Sequence, residues 1–169
     1  MDHMDYQKAA SFWDEQAKSA AVMERRALEE ETDAFLASRN TCALATGWGS
    51  FVRCTPLEYS WWKGRFWIFT EGGHKFTALA ENKNVCLAVF DSYSGFGRLG
   101  GVQVTGRAEL IEPWSEDYTA ALAHKHIPAS ALRQSDHTMY LLCVTPVHMD
   151  ILFSAFKAKG FSARQELDF

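Results

Sequence analysis

Six β-rich segments follow one another from residue 41 onward, and that succession limits the possible folds more than any other feature of the chain. They run from Thr41 to Thr46, Val52 to Trp62, Arg65 to Thr70, Val85 to Phe90, Val102 to Ile111 and Met139 to Phe153. All are rich in the β-branched and aromatic residues that suit a pleated surface. Short turn signals stand between the early ones, GWGS at 47–50 and KG at 63–64, and short connections favour antiparallel neighbours. A helix from about Lys75 to Asn82 interrupts the strands, and another starts near Ser115, where Ser115, Glu116 and Asp117 suit a helix N-terminus. Before residue 40 the period is helical, over about 5–38. Ser11 and Asp14 form a capping-box pattern there, and Leu28, Phe35 and Leu36 line one side of a second stretch from about Arg26 to Ser38. The arrangement predicts an α+β, mainly β fold: a closed or partly closed barrel of about six antiparallel strands with peripheral helices.

A chain of 169 residues is expected to form a single domain, 1–169, with a core that needs no staples. The 47% hydrophobic and 14% aromatic content excludes a disordered chain. Seventeen basic against 21 acidic residues, a net charge of −4, give no footprint for nucleic acid or an anionic membrane. The longest apolar run, Val85 to Phe90, is too short to span a bilayer, and no charged-then-apolar leader opens the chain; the expected compartment is the cytoplasm. Cys42, Cys54, Cys86 and Cys143 sit in or beside strand-like runs, with no C-x-x-C pair and no zinc spacing. They read as buried free thiols, and no metal site or disulfide framework is expected.

Gly95, Gly97 and Gly100 spell a literal G-x-G-x-x-G after the Val85–Phe90 run. In a dinucleotide-binding fold a helix must open at the last glycine, so that amides and the helix dipole meet a pyrophosphate. Here the alternation of Val102, Val104 and Ala108 with polar residues has strand spacing. The motif therefore fails its context test and reads as a loose connection between strands, with Tyr93 and Phe96 as apolar anchors.

The stretch FTEGGHK at 69–75 is different. A strand ends at Thr70, Gly72 and Gly73 follow, and a helix begins at His74 and Lys75. Free amides, a positive dipole end and a lysine then converge, with Thr70 and His74 as further donors. On residue types alone, a plain turn beside a solvated lysine fits equally well. If 63–64 is a hairpin turn, the strand carrying Arg53 pairs with the one ending at Thr70, and Arg53 adds a bidentate fork to make a phosphate pocket.

In that order the elements are recognisable. The segment Asn40–Ile111 resembles the flavin-binding split-barrel family related to pyridoxamine 5′-phosphate oxidase. The matching pieces are NTCALATG; R-x-x-P-L at Arg53, Pro56 and Leu57; an aromatic strand ending at Phe69 and Thr70; and GGHK. Lys75, Leu79, Asn82 and Val85 then give K-x-x-x-L-x-x-N-x-x-V, and Val104, Gly106 and Ala108 give V-x-G-x-A. The resemblance implies that Arg53 and Lys75 hold the phosphate of FMN. It also implies that backbone around Cys54, Thr55 and Pro56, and around Phe69 and Thr70, lines the isoalloxazine and ribityl chain. It implies a homodimer with flavin at the interface, a small-molecule substrate, and an FMN-dependent oxidoreductase. A non-catalytic flavin carrier or sensor, or a haem- or deazaflavin-binding relative, remains open.

The chain departs from the authentic oxidase on the substrate side. Glu58 stands where that enzyme has a substrate-binding lysine, and a carboxylate there repels a phosphorylated substrate. The Arg- and Ser-bearing segment expected later reads YTAALAHKHIPAS, and no Arg-x-His element precedes the end FSARQELDF. Vitamin B6 oxidation is therefore not expected. His124 and His126, two apart, point to different faces of a helix and read as a surface helix end. Trp61 and Trp62 read as core plus dimer contact, with stacking on a flavin as the alternative. The basic FKAKGFSARQ tail reads as solvated.

Overall fold

A computed structural model describes residues 5–169 of the chain, so the reading of the chain's opening lies in part outside the described residues. Helices α1 (Tyr6–Ala10), α2 (Phe12–Ala17) and α3 (Arg25–Ala37) precede the sheet. The strands are β1 (Thr41–Trp48), β2 (Phe51–Glu58), β3 (Ser60–Trp62), β4 (Arg65–Thr70), β5 (Asn84–Phe90), β6 (Gly100–Ile111), β7 (Tyr140–Phe153) and β8 (Arg164–Asp168). Between β4 and β5 lies α4 (Lys75–Glu81), and between β6 and β7 lie α5 (Glu116–His124) and α6 (Ala129–Arg133). Every pairing is antiparallel, in the order β2-β1-β5-β6-β7-β4-β3, with β8 on the far half of β7. The expected mainly β split barrel is what the chain forms.

Curvature closes the sheet on itself. At Thr105/Gly106 the β6–β7 register shifts, and a bulge of this kind bends a strand and increases its twist. Only glycine fits there: a Cβ on Gly106 would stand 2.7 Å from the Thr145 carbonyl oxygen and 2.9 Å from a Val144 methyl. The curled sheet brings its edge strand β2 against β4 and α4. Its inner face holds the core, including Leu44, Phe66, Ile68, Leu87, Val104 and Val144, sealed by Leu28, Phe35 and Leu36 of α3. A second cluster lies on the opposite face, where α5 sets Tyr118 and Leu122 over Trp67, Leu141 and Cys143.

The structure corrects several sequence expectations. Eight strands form rather than about six. The 52–62 run breaks at Tyr59, whose amide donates to the Asn40 carbonyl and whose buried hydroxyl donates to the Leu36 carbonyl at 2.8 Å. The C-terminal tail is solvated only in part: Lys157, Lys159 and Arg164 are exposed, but Phe156 is buried and β8 turns Gln165 and Leu167 inward. Gln165 accepts from the Met23 amide and donates to the Ala21 and Ser162 carbonyls, so a side chain supplies bonds that the non-helical 18–24 stretch lacks. Ser11 makes no capping bond; the long N-terminal helix is instead capped by Glu24, which accepts from the Ala27 amide. Cys42 and Cys143 are buried, and burial pushes their thiols up to about 12 and about 11. Cys86 is only half-buried and Cys54 is exposed, against the expectation of four buried thiols.

The β7–β8 pairing sets His148 opposite Asp168. Nδ1 of His148 lies 2.7 Å from Asp168 Oδ1, and Nε2 lies 3.6 Å from Asp150 Oδ1. The Asp168 hydrogen bond, aided by the Asp150 charge, raises the His148 pKa above its ordinary value. A raised folded-state pKa stabilises fully below the unfolded value, and the gain is lost as pH rises through the folded one. Wild type should therefore exceed His148→Gln in stability by up to about 1 kcal/mol below roughly pH 6.5, with the gap closing in alkali. Denaturant unfolding at a series of pH values checks this; a gap that does not change with pH contradicts it.

Candidate functional site

The end of the barrel crossed by α4 holds Lys75, a basic residue buried without an ion pair. β4 ends at Thr70, and Gly72 and Gly73 follow at φ +134° and +107°, a conformation that side chains with a Cβ rarely adopt. The Thr70 hydroxyl donates to the Gly72 carbonyl at 3.3 Å and holds the turn. The chain then folds back into α4, which buries Ala78 and Leu79. Asn82 fixes the far end: it donates to the Gly47 carbonyl of β1 at 2.8 Å and accepts from the Asn84 amide at 3.0 Å.

Lys75, in the first turn of α4, is 3% exposed. Its ammonium donates to the Gly72 carbonyl and lies 5.2 Å from the centre of the Phe76 ring. Among the described residues it forms no ion pair; Arg53 forms none either, but it is exposed, as are the other basic residues without a carboxylate. Burial, and secondarily the Arg53 charge, hold the Lys75 ammonium below the usual lysine range. An uncompensated buried charge is costly.

Arg53 reaches Lys75 by a different route from the one expected. The KG turn joins β3 to β4, and that hairpin pairs only Ser60–Trp62 with Arg65–Trp67. β2 pairs with β1 instead, placing Arg53 beside Thr46. Sheet curvature, not a hairpin, brings β2 to β4 and α4.

The strand pleat sorts the remaining candidates. Arg53 and Thr55 sit opposite Thr46 and Leu44, whose side chains are buried on the inner face, while Cys54 and Pro56 alternate to the outer face with Val52. Thr70 shares the inward side of β4 with Phe66 and Ile68 and is buried. Phe69 turns the other way and packs edge-on against Tyr118 at 5.7 Å. His74 is exposed and makes no capping bond. The structure thus brings Arg53, Thr55, Thr70 and Lys75 toward one end of the barrel and turns the side chains of Cys54, Pro56 and Phe69 to the other face, while the part expected of these three was for their backbone. The Phe76 and Thr77 N–H groups donate to the Gly73 and His74 carbonyls, and of the amides at 72–75 the Gly72 N–H donates to Thr70 Oγ1 at 3.4 Å.

One inward residue was missed in the sequence. Thr46 is 3% exposed, and its Oγ1, like that of Thr55, is buried without a hydrogen-bond partner. In the sequence Thr46 is merely a strand residue before a turn; only the register with Arg53 gives it meaning.

Other expectations change too. Glu58 is not a bare carboxylate: Lys125 lies 2.9 Å away, which offsets the repulsion expected of it. Trp61 donates to Asp33 of α3 at 2.9 Å, and Trp62 stacks on His124 at 4.8 Å and 14°, so both rings tie helices to the sheet. Tyr93 and Phe96 are not anchors; they are 69% and 80% exposed and pack edge-on against each other. The loop is held instead by Ser154, which donates to the Phe96 carbonyl at 2.7 Å and accepts from the Leu99 amide at 3.0 Å. Gly100 opens β6, not a helix. Among the described residues no His, Cys, Asp and Glu cluster is arranged to hold a metal, and no helix is long and apolar enough to cross a membrane.

Comparison with known proteins agrees with this architecture. ChuZ of Campylobacter jejuni superposes with a TM-score of 0.66 at 13% identity, covering 99% of this chain and 70% of that one. HutZ, the heme storage protein of Vibrio cholerae, gives 0.58 at 16%, covering 70% and 89%. A FAD-binding protein of Mesorhizobium loti gives 0.55 at 20%, covering 69% and 87%. At such identities the likeness speaks for the fold alone. No curated protein sequence matches the chain significantly. The sequence model described as pyridoxamine 5′-phosphate oxidase matches residues 28–151, well over half of the chain, and the protein belongs to that family.

Proposed function

We propose that the protein binds FMN and acts as a flavin-dependent oxidoreductase on a small molecule. The observation that carries this reading is Lys75, an ammonium in the interior without an ion pair, with the exposed guanidinium of Arg53 near enough to lower its pKa further. A terminal phosphate is a compact dianion that would compensate both, and charge-assisted bonds of this kind are the strong ones. Arg53 offers a planar fork and Lys75 a point charge on a short tether. FMN, when bound, supplies the hydride and electron transfer. The chain's part is to seat the phosphate on Arg53 and Lys75 and to align the ring along the backbone of Cys54–Pro56 and of Phe69 and Thr70. Two structural relatives are described as FAD-binding proteins and one as a heme storage protein, which supports ligand binding by this fold without choosing among ligands. A carrier would use the same phosphate seat, and turnover with a reduced nicotinamide nucleotide separates the two roles.

We also propose a homodimer. The strands β2, β1 and β5 present an outer face of small residues, Ala43, Ala45, Cys86 and Ala88, bordered by Val52 at 80% and Phe90 at 67% exposure. A smooth apolar face of this kind suits a second copy of the chain. The aromatic residues Phe66 and Trp67 are buried in the protomer and take no part in this face. Light scattering should give twice the chain mass for the flavin-loaded protein; a loaded monomer at micromolar concentration contradicts the dimer.

The phosphate seat predicts a trade between stability and binding. Because the Lys75 pKa is lowered on folding, the flavin-free protein should gain stability as pH rises from that lowered value toward the ordinary lysine range. Lys75→Met should remove this gain and leave the flavin-free protein at least as stable, by on the order of 1 kcal/mol. The same variant should weaken FMN about ten- to a hundredfold and leave riboflavin unchanged. Gly97→Ala should keep FMN affinity within about a few-fold, since nothing lies within 4 Å of its Cβ position and its φ is not positive. Flavin fluorescence titration with both ligands checks each; equal wild-type affinity for FMN and riboflavin overturns the phosphate assignment.

A further inference from the structure

We infer that the C-terminal strand β8 is a pH-sensitive clasp, which holds the N-terminal helices α1 and α2 on the barrel and loosens as His148 loses its proton.

The N-terminal segment has little hold of its own. α1 and α2 bury no residue, and Phe12, Trp13 and Val22 are exposed. Of residues 5–24, Met23 packs against the barrel core. Polar bonds to the end of the chain hold the rest. The Ala21 amide donates to Ser162 Oγ at 3.0 Å, and the Ser162 amide donates to the Ala21 carbonyl at 2.9 Å. The Met23 amide donates to Gln165 Oε1 at 3.0 Å, and Gln165 Nε2 donates to the Ala21 carbonyl at 3.1 Å. Farther out, the Arg164 guanidinium carbon lies 3.9 Å from the centre of the Trp13 ring. Arg164 and Gln165 belong to β8, and Ser162 precedes it by one residue. Residues 5–24 therefore stay in place as long as β8 stays on β7.

The β7–β8 ladder is unevenly charged. On its inward side Gln165 and Leu167 are buried. On its outward side the register sets His148 opposite Asp168 and Asp150 opposite Glu166. Like charges directly opposite each other weaken a ladder. His148 stands between them, with Nδ1 2.7 Å from Asp168 Oδ1 and Nε2 3.6 Å from Asp150 Oδ1. Among the described residues no lysine or arginine pairs with Asp150, Glu166 or Asp168. From β6 the uncharged Thr105 faces His148, and Arg107 lies beyond the bulge, opposite Thr145. From α3, Arg25 donates to the Asp168 carbonyl and gives its ion pair to Glu29. The imidazolium is thus the charge that lets three carboxylates share this face.

The direction of the effect follows. The Asp168 hydrogen bond, with the Asp150 charge adding to it, raises the His148 pKa. The clasp is then fully closed below the ordinary histidine range and loosens as pH rises through the raised value. Above it, Asp150, Glu166 and Asp168 face one another around a neutral ring. β8 pairs with β7 alone and ends the chain, so this repulsion can lift it without unfolding the barrel. Residues 5–24 open with it.

Hydrogen exchange of the full-length protein, read as amide protection factors at about pH 5.5 and about pH 8.5, tests the clasp. Toward alkaline pH the amides of 164–169 should lose about three- to tenfold in protection, and those of Ala21 and Met23 should fall with them. Amides of β5 should change by less than about twofold. His148→Gln should abolish the pH dependence and leave both sets near the alkaline wild-type level. Glu166→Gln should raise the protection of both sets at alkaline pH. Both substitutions are on the outward side of the ladder, where neither touches the core. Protection that falls with pH in His148→Gln as it does in wild type overturns the role of His148. A fall confined to 164–169 overturns the hold on the N-terminal helices. An equal fall in β5 makes the event global unfolding and overturns the clasp altogether.

Discussion

A lysine ammonium taken out of water with no carboxylate beside it is the constraint around which one end of this barrel is arranged. Lys75 is buried by the crossing of α4, and that crossing depends on the Gly72–Gly73 turn at its start and the Asn82 bond to β1 at its end. Folding alone does not favour such an arrangement: desolvation and the neighbouring Arg53 both oppose the charge. The local cost is borne by a sheet whose core is otherwise closely packed on both faces. A conflict of this kind, confined to one end of an otherwise consistent fold, is what is expected where a fold serves a function.

The bulge at Gly106 connects this site to the rest of the molecule. It bends β6 against β7, and the resulting curl brings the edge strand β2 to α4. Arg53 and Lys75 meet only because the sheet curves. Other pairs tie the helices and the chain's end to the sheet. Glu58 is tied to Lys125 near the end of α5, His124 stacks on Trp62, and β8 docks through Gln165 on the segment before α3. The family fold is kept.

Much of this was legible in the chain. Strand periodicity located β1, β4, β5, β6 and β7 to within a few residues, because each carries a clear apolar face. The helix at Lys75 and the failure of the Gly95–Gly100 motif followed from what comes after each glycine pair. What could not be read were facts set by distant contacts. β8 is half polar, and Gln165 faces inward only because a partner segment needs its amide. Cys54 and Thr55 differ by one residue yet lie on opposite faces, and the choice depends on register with β1. The pairing of Arg53 with the turn was anticipated, but through a hairpin that joins other strands.

The central claim is that Lys75 is a buried cation waiting for an anion, and the most direct measurement is the titration of its own nitrogen. Carbon NMR of protein labelled at lysine Cε, with Lys75 assigned by substitution, follows that group through pH with and without FMN. The account predicts that Lys75 titrates below the other lysines in the flavin-free protein, and that FMN moves its titration upward while riboflavin does not. A Lys75 that titrates with the surface lysines in both states would contradict it.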